Sequence, residues 1–201
     1  MTDKNFLRAP ARALALALVF ALAFIIALSL TSCSASRRAE EKMLELRTAL
    51  LASEKLTAIA RIRADYGERA FEFKIKFTGD ADGGELEILE PESVAGIRAR
   101  VTGSGAELIF DGAALDTGPL GDGLSPVGII PLLISEWKTG FVDTLTPERL
   151  DGRAVLAMTS SLTEKAAQTT WFDEATGLPV RAEAIADGRA ALTIEFENVS
   201  Y

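Results

Sequence analysis

The feature that most restricts the fold is a period-two alternation of apolar and polar residues that begins at Leu56 and returns for most of the remaining chain. Leu56, Ala58, Ala60, Ile62 and Ala64 alternate with Thr57, Ile59, Arg61 and Arg63. After Gly67, Phe71, Phe73, Ile75 and Phe77 share one face while Glu72, Lys74 and Lys76 share the other. Leu86 and Ile88, then Ile97, Ala99 and Val101, then Leu108 and Phe110 continue the series. Successive side chains of a strand point to opposite faces, so each run has one covered and one wet face, the mark of an antiparallel sheet. Gly79 to Gly84, Pro91, Gly103-Ser104-Gly105 and Asp111-Gly112 separate the runs as turns. Strand signals resume over 141–144, 153–160, 168–172, 180–186 and 189–196, the last two around Asp187-Gly188. About nine or ten strands at this spacing predict a meander sheet or barrel. Asp80 and Asp82 lack the other ligands of a calcium loop, so that segment is expected to be a hairpin turn.

Two stretches break the alternation. Over 39–52, Met43, Leu46 and Leu50 recur at helical spacing among charged residues, with no Gly or Pro. After a Gly/Pro-rich loop over 117–125, residues 126–137 place Val127, Ile130, Ile134 and Trp137 at helical spacing. Ser125 is suited to cap this helix and Pro126 to its first position, while Pro131 is expected to kink or split it. So apolar a segment either packs into the core or covers an apolar cavity.

The start of the chain is of another kind. Lys4, Arg8 and Arg12 precede an apolar run over 13–30, broken only by Ser29, that ends in Leu30-Thr31-Ser32-Cys33. A basic segment, an apolar segment and small residues before a cleavage point form a secretory signal. The last four residues resemble a bacterial lipobox, which implies a cut before Cys33 and a diacylglyceryl group on its sulfur. An uncleaved signal anchor is the alternative, and both readings leave the following domain outside the cytoplasm. The expected organisation is a lipoprotein signal at 1–32, a lipidated tether at 33–38 and one sheet domain at 39–201. Cys33 is the single cysteine, so no disulfide supports the fold.

Composition narrows function. The signal carries three of the 21 basic residues and one of the 29 acids, leaving a net charge of −10 in the rest. Such a chain repels phosphate backbones, so no nucleic acid partner is expected. There is no histidine, which removes the usual general base and the commonest metal ligand. No catalytic residues, metal site or cofactor are expected, and no pair of acids stands out as acid and base.

Ile109-Phe110-Asp111-Gly112 and the run Trp171-Phe172-Asp173-Glu174-Ala175-Thr176-Gly177-Leu178-Pro179-Val180-Arg181 resemble hairpins of the bacterial lipoprotein-carrier superfamily. That superfamily includes the LolA and LolB carriers, the RseB/MucB sensors and LppX-like lipid carriers. The resemblance implies an α+β fold: a strongly curved antiparallel sheet, an unclosed half-barrel, with short helices covering its open, concave side. It also implies acyl chains held between sheet and helices. The residues expected at such a cavity are Phe71, Phe73, Ile75, Phe77, Ile130, Ile134 and Trp137. One function is then a membrane-anchored carrier or binder of lipidic ligands, its partners being the membrane, through diacylglyceryl-Cys33, and lipid or lipoprotein acyl chains. The other is an envelope sensor or scaffold with the same fold and a filled core. Either is extracytoplasmic, on the cell membrane or, in a two-membrane organism, the outer membrane.

Overall fold

The computed structural model describes residues 37–65, 67–102, 105–110, 113–116 and 124–201. The signal, Cys33, the tether up to residue 36, the turns at 103–104 and 111–112 and the loop over 117–123 lie outside the described residues.

Eleven strands are described: β1 Leu56–Asp65, β2 Ala70–Gly79, β3 Gly83–Glu90, β4 Arg98–Thr102, β5 Gly105–Phe110, β6 Ala113–Asp116, β7 Thr144–Leu150, β8 Arg153–Thr163, β9 Ala166–Asp173, β10 Pro179–Ala186 and β11 Arg189–Ser200. Helix α1 spans 37–52 and α2 spans Ile129–Thr139. The strands form one sheet in the order β6-β5-β4-β3-β2-β1-β11-β10-β9-β8-β7. The first and last strands therefore meet at its centre, Ile62 opposite Ile194 and Ala64 opposite Leu192. Two meanders run outward from this pair and end at β6 and β7, which do not pair with each other. The result is a strongly curved, unclosed antiparallel sheet with helices on its concave side.

Burial follows the period of two. On β1 every even residue from Leu56 to Ala64 is buried. The opposite face carries an ion network across neighbouring strands: Arg61 lies 3.0 Å from Glu72, 3.6 Å from Glu90 and 3.5 Å from Glu197, and Lys74 lies 2.7 Å from Glu197. On the concave side the central strands carry small residues, Ala58, Ala60, Ala182 and Ala184, all buried. Bulk comes from above: Trp137 of α2 meets Phe172 and Phe196 edge-on at 5.6 and 5.7 Å. The buried stripe of α1 is Ala39, Met43, Leu46 and Leu50. Arg47 of α1 donates to the carbonyl of Gly140 and, at 3.5 Å, to that of Glu136. It thus satisfies the Gly140 carbonyl just past α2 and gives a second donor to the Glu136 carbonyl, which already accepts the Gly140 N–H at 3.0 Å.

Several elements differ from expectation. Only Thr144 of the run 141–144 is in a strand; β7 continues to Leu150 through Pro147 and three charged or polar neighbours. It forms one edge of the sheet, where a residue without an N–H is tolerated and one-sided cover weakens the apolar pattern. The other edge, β6, has four residues and was too short to register as an alternation. Helix α2 begins at Ile129 rather than Pro126. Pro131 therefore falls in the first turn, where backbone N–H groups lack helical partners anyway, and it does not split the helix. Ser125 instead closes the preceding turn, its Oγ accepting the Gly128 N–H at 3.1 Å. The Asp80–Asp82 segment is the β2–β3 turn: the Asp80 N–H donates to the Gly83 carbonyl at 2.8 Å, and Asp80 Oδ1 accepts the Asp82 N–H at 2.9 Å.

Candidate functional site

The concave face is not covered evenly. Along β2 the side chains on that face pass from Phe77 and Ile75, both buried, to half-buried Phe73 and then Phe71, which is 46% exposed. Register sets their neighbours: Ile75 pairs with Ile88 and Phe77 with Leu86 of β3, while Phe73 pairs with Ile62 and Phe71 with Ala64 of β1. Where the cover thins, an apolar pocket of 340 Å³ opens, lined by Phe71, Phe73, Ile75, Leu86, Ile88, Pro126 and Val127. Its floor is sheet, and one wall is the turn that leads into α2. The rings of Phe71 and Phe73 lie 6.5 Å apart, 19° from parallel. Among the described residues no charged or hydrogen-bonding side chain lines it. Such a lining desolvates alkyl groups at about 0.8 kcal/mol per methylene and offers nothing to a charged headgroup, which would lose hydration without compensation if drawn inside.

Of the residues expected at a cavity, Phe71, Phe73 and Ile75 line this pocket. Phe77 lies beneath the cover, fully buried. Ile130, Ile134 and Trp137 are also fully buried in the packed core with Ile129 and Leu133. On that side the concave face is filled, and its polar atoms are spent internally. Trp137 Nε1 donates to Thr170 Oγ1 at 2.9 Å, the Thr170 hydroxyl donates to Gln168 Oε1 at 2.5 Å, and Gln168 Nε2 donates to Ser160 Oγ at 2.9 Å. Ser160, Gln168 and Thr170 have no exposed surface.

Leu86, Ile88, Pro126 and Val127 complete the pocket and were not among the expected cavity residues. The alternation places Leu86 and Ile88 on a covered face, but only the β2–β3 register brings them beside Ile75. Pro126 and Val127 read as helix in the sequence and are turn in the structure.

The hairpin at 171–181 is structural. Asp173 Oδ1 accepts the N–H groups of Ala175 and Thr176, both at 2.9 Å, and the Thr176 hydroxyl at 3.2 Å; Gly177 takes φ 70° to close the turn. Desolvation pushes the Asp173 carboxyl up. The backbone and hydroxyl hydrogen bonds, with Arg153 nearby, outweigh it and hold the group below the usual carboxylate value. Among the described residues no cluster of three or more His, Cys, Asp or Glu side chains is placed to hold a metal ion.

No protein-family model matches the chain, and no curated protein matches it. Solved structures do. The chain is similar to a LolA superfamily protein from Nitrosomonas europaea, at 11% identity and a TM-score of 0.44, over 81% of this chain and 92% of that one. It is similar to the lipoprotein LppX from Mycobacterium tuberculosis, at 13% identity and a TM-score of 0.40, over 79% and 91%. It is also similar to a chain of the MucA/MucB complex from Pseudomonas aeruginosa, at 14% identity and a TM-score of 0.43, over 81% and 56%. Each of these likenesses is one of fold, at 11–14% identity.

Proposed function

We propose that this chain is an extracytoplasmic lipoprotein, anchored through acylated Cys33, that holds an acyl chain in the pocket between β2, β3 and the Pro126–Val127 turn. The observation that carries the reading is the pocket itself: 340 Å³ lined, among the described residues, by seven apolar side chains and no charged one. An engineered apolar cavity of roughly 150 Å³ takes benzene, so this space suits a stretch of alkyl chain. The anchor rests on the Leu30-Thr31-Ser32-Cys33 sequence at the end of an apolar run.

A second reading, an envelope sensor or scaffold with a filled core, is favoured by a different observation. Ile130, Ile134 and Trp137 have no exposed surface, and Trp137 packs against Phe172 and Phe196. The two readings part at the pocket. Mass spectrometry of organic extracts from protein purified from its native membrane is expected to find a stoichiometric alkyl-chain compound besides the anchor; an extract with no such compound favours the scaffold. Metabolic labelling with a fatty-acid analogue is expected to mark the wild type and not Cys33→Ser, and label retained by that variant refutes the anchor.

A further inference from the structure

Six large apolar side chains among the described residues are exposed: Leu44, Leu51, Phe71, Phe110, Phe141 and Tyr201. Phe71 belongs to the pocket. Three of the others lie on either side of one contact, that of Arg47 with the end of α2. Leu44 and Leu51 lie two turns apart on α1, on a stripe turned away from its buried stripe of Ala39, Met43, Leu46 and Leu50. Arg47, one turn from each, reaches across to the Gly140 carbonyl at the end of α2, and Phe141 is the next residue. Leu44 is 67%, Leu51 59% and Phe141 82% exposed. Singly exposed apolar residues are ordinary, but a group of them at the junction of two helices is the kind of patch that marks an interaction surface. The packing of α1 and α2 does not need them: the buried stripe and Arg47 supply it.

We propose that Leu44, Leu51 and Phe141 form a membrane-docking face, which lays the α1 end of the domain against the bilayer that carries the Cys33 anchor. The inference rests on the anchor reading and adds to it a fixed contact where a tether alone would leave the domain free. Covalent length is the argument for a bilayer as the occupant. Only residues 34–36 separate Cys33 from the start of α1 at residue 37, and those four steps reach about 14 Å at full extension, less than the thickness of a bilayer. The face is therefore held beside lipid at high effective concentration. Three apolar side chains, too few to hold a free protein on a membrane, suffice to orient one that is already anchored. Glu40 and Glu41 border the stripe and the chain is acidic overall. The attraction is therefore apolar rather than electrostatic, and suits a zwitterionic surface in high salt as in low.

The test uses the full, lipidated chain reconstituted in phosphatidylcholine vesicles. Phe141→Trp places a reporter in the face, and Phe110→Trp places one at an exposed site on β5 outside it; both are compared with wild type to subtract Trp137 and Trp171. With brominated phosphatidylcholine, the emission added by Phe141→Trp is expected to be mostly lost and that added by Phe110→Trp kept, at low and high salt. Adding Leu44→Ser and Leu51→Ser should restore the Phe141→Trp emission without lowering the melting temperature, because both side chains are exposed. Chain that floats with the vesicles while Phe141→Trp stays unquenched, or while both reporters are quenched equally, overturns the docking face and leaves the anchor standing. Chain that does not float with the vesicles overturns both.

Discussion

Thr170→Val tests how α2 is fixed to the sheet. Valine keeps the shape and β-propensity of threonine and deletes one hydroxyl. That hydroxyl accepts from Trp137 Nε1 and donates to Gln168 Oε1, and all three residues have no exposed surface. The substitution thus strands one buried donor and one buried acceptor. Each costs about 1–3 kcal/mol, and the added methyl burial returns less than 1 kcal/mol, so a loss of about 3 kcal/mol is expected. Trp137→Phe removes the donor instead. Thr170 still donates to Gln168, so the polar cost is smaller, but a void replaces part of the indole between Phe172 and Phe196 and brings its own cost of about 1–3 kcal/mol. In the double variant no indole N–H remains to be stranded. Its cost should fall short of the sum of the two single costs by about 1–2 kcal/mol. The assay is urea denaturation of a fragment 34–201, followed by circular dichroism, with the denaturant slope as a check on the transition. A Thr170→Val variant within about 0.5 kcal/mol of wild type, or strictly additive costs, would refute the reasoning.

Asp173→Asn keeps an acceptor in the 173–177 turn but removes the charge. Because the folded carboxyl titrates below its ordinary value, its contribution is present above about pH 4 and lost as the pH falls through the folded value. The variant should lose about 1 kcal/mol at pH 7 and little at pH 2.5, in paired urea melts; equal losses at both pH values would contradict this. Gly84→Ala sets a Cβ 2.5 Å from the Thr78 carbonyl oxygen. It should lower the melting temperature by several degrees, corresponding to about 1–3 kcal/mol, and an unchanged melt would show that the hairpin yields freely. Ile134→Glu buries a charge with no partner in the filled part of the core and should leave the fragment unfolded by circular dichroism; a native spectrum would mean that α2 is not packed as described.

The fold was legible wherever one face of a strand is buried. On β1 and β2 the alternation is clean because the concave side excludes water and the ion network around Arg61 needs it. β7 was not legible: as an edge strand it carries Pro147 and packs weakly, so burial imposed no period on Thr144–Leu150. Nor was the central β1–β11 pairing, which joins residues 128 to 143 positions apart and leaves no local signal. The start of α2 was misplaced because Pro126 suits a first helical position as well as it suits the turn it occupies. At the pocket, Phe71, Phe73 and Ile75 came from the alternation alone. Leu86 and Ile88 needed the register, and Val127 needed the turn. Helical spacing put Ile130, Ile134 and Trp137 on one face of a helix, but it carries no information on whether that face meets a space or a floor. Here the indole of Trp137 meets a floor of Thr170, Phe172 and Phe196.

The most direct measurement is a fluorescence titration of folded 34–201 with a fluorescent fatty acid, wild type against Phe73→Glu, with thermal melts of both. Phe73 stands at the half-buried wall of the pocket, so a glutamate there keeps its charge near water while spoiling the apolar lining. Wild type is expected to bind with micromolar affinity, about −8 kcal/mol, and Phe73→Glu to bind at least about tenfold more weakly with little change in melting. A well-folded wild type that binds nothing, or a Phe73→Glu variant that binds as tightly as wild type, would contradict an acyl-chain site between β2, β3 and the Pro126–Val127 turn.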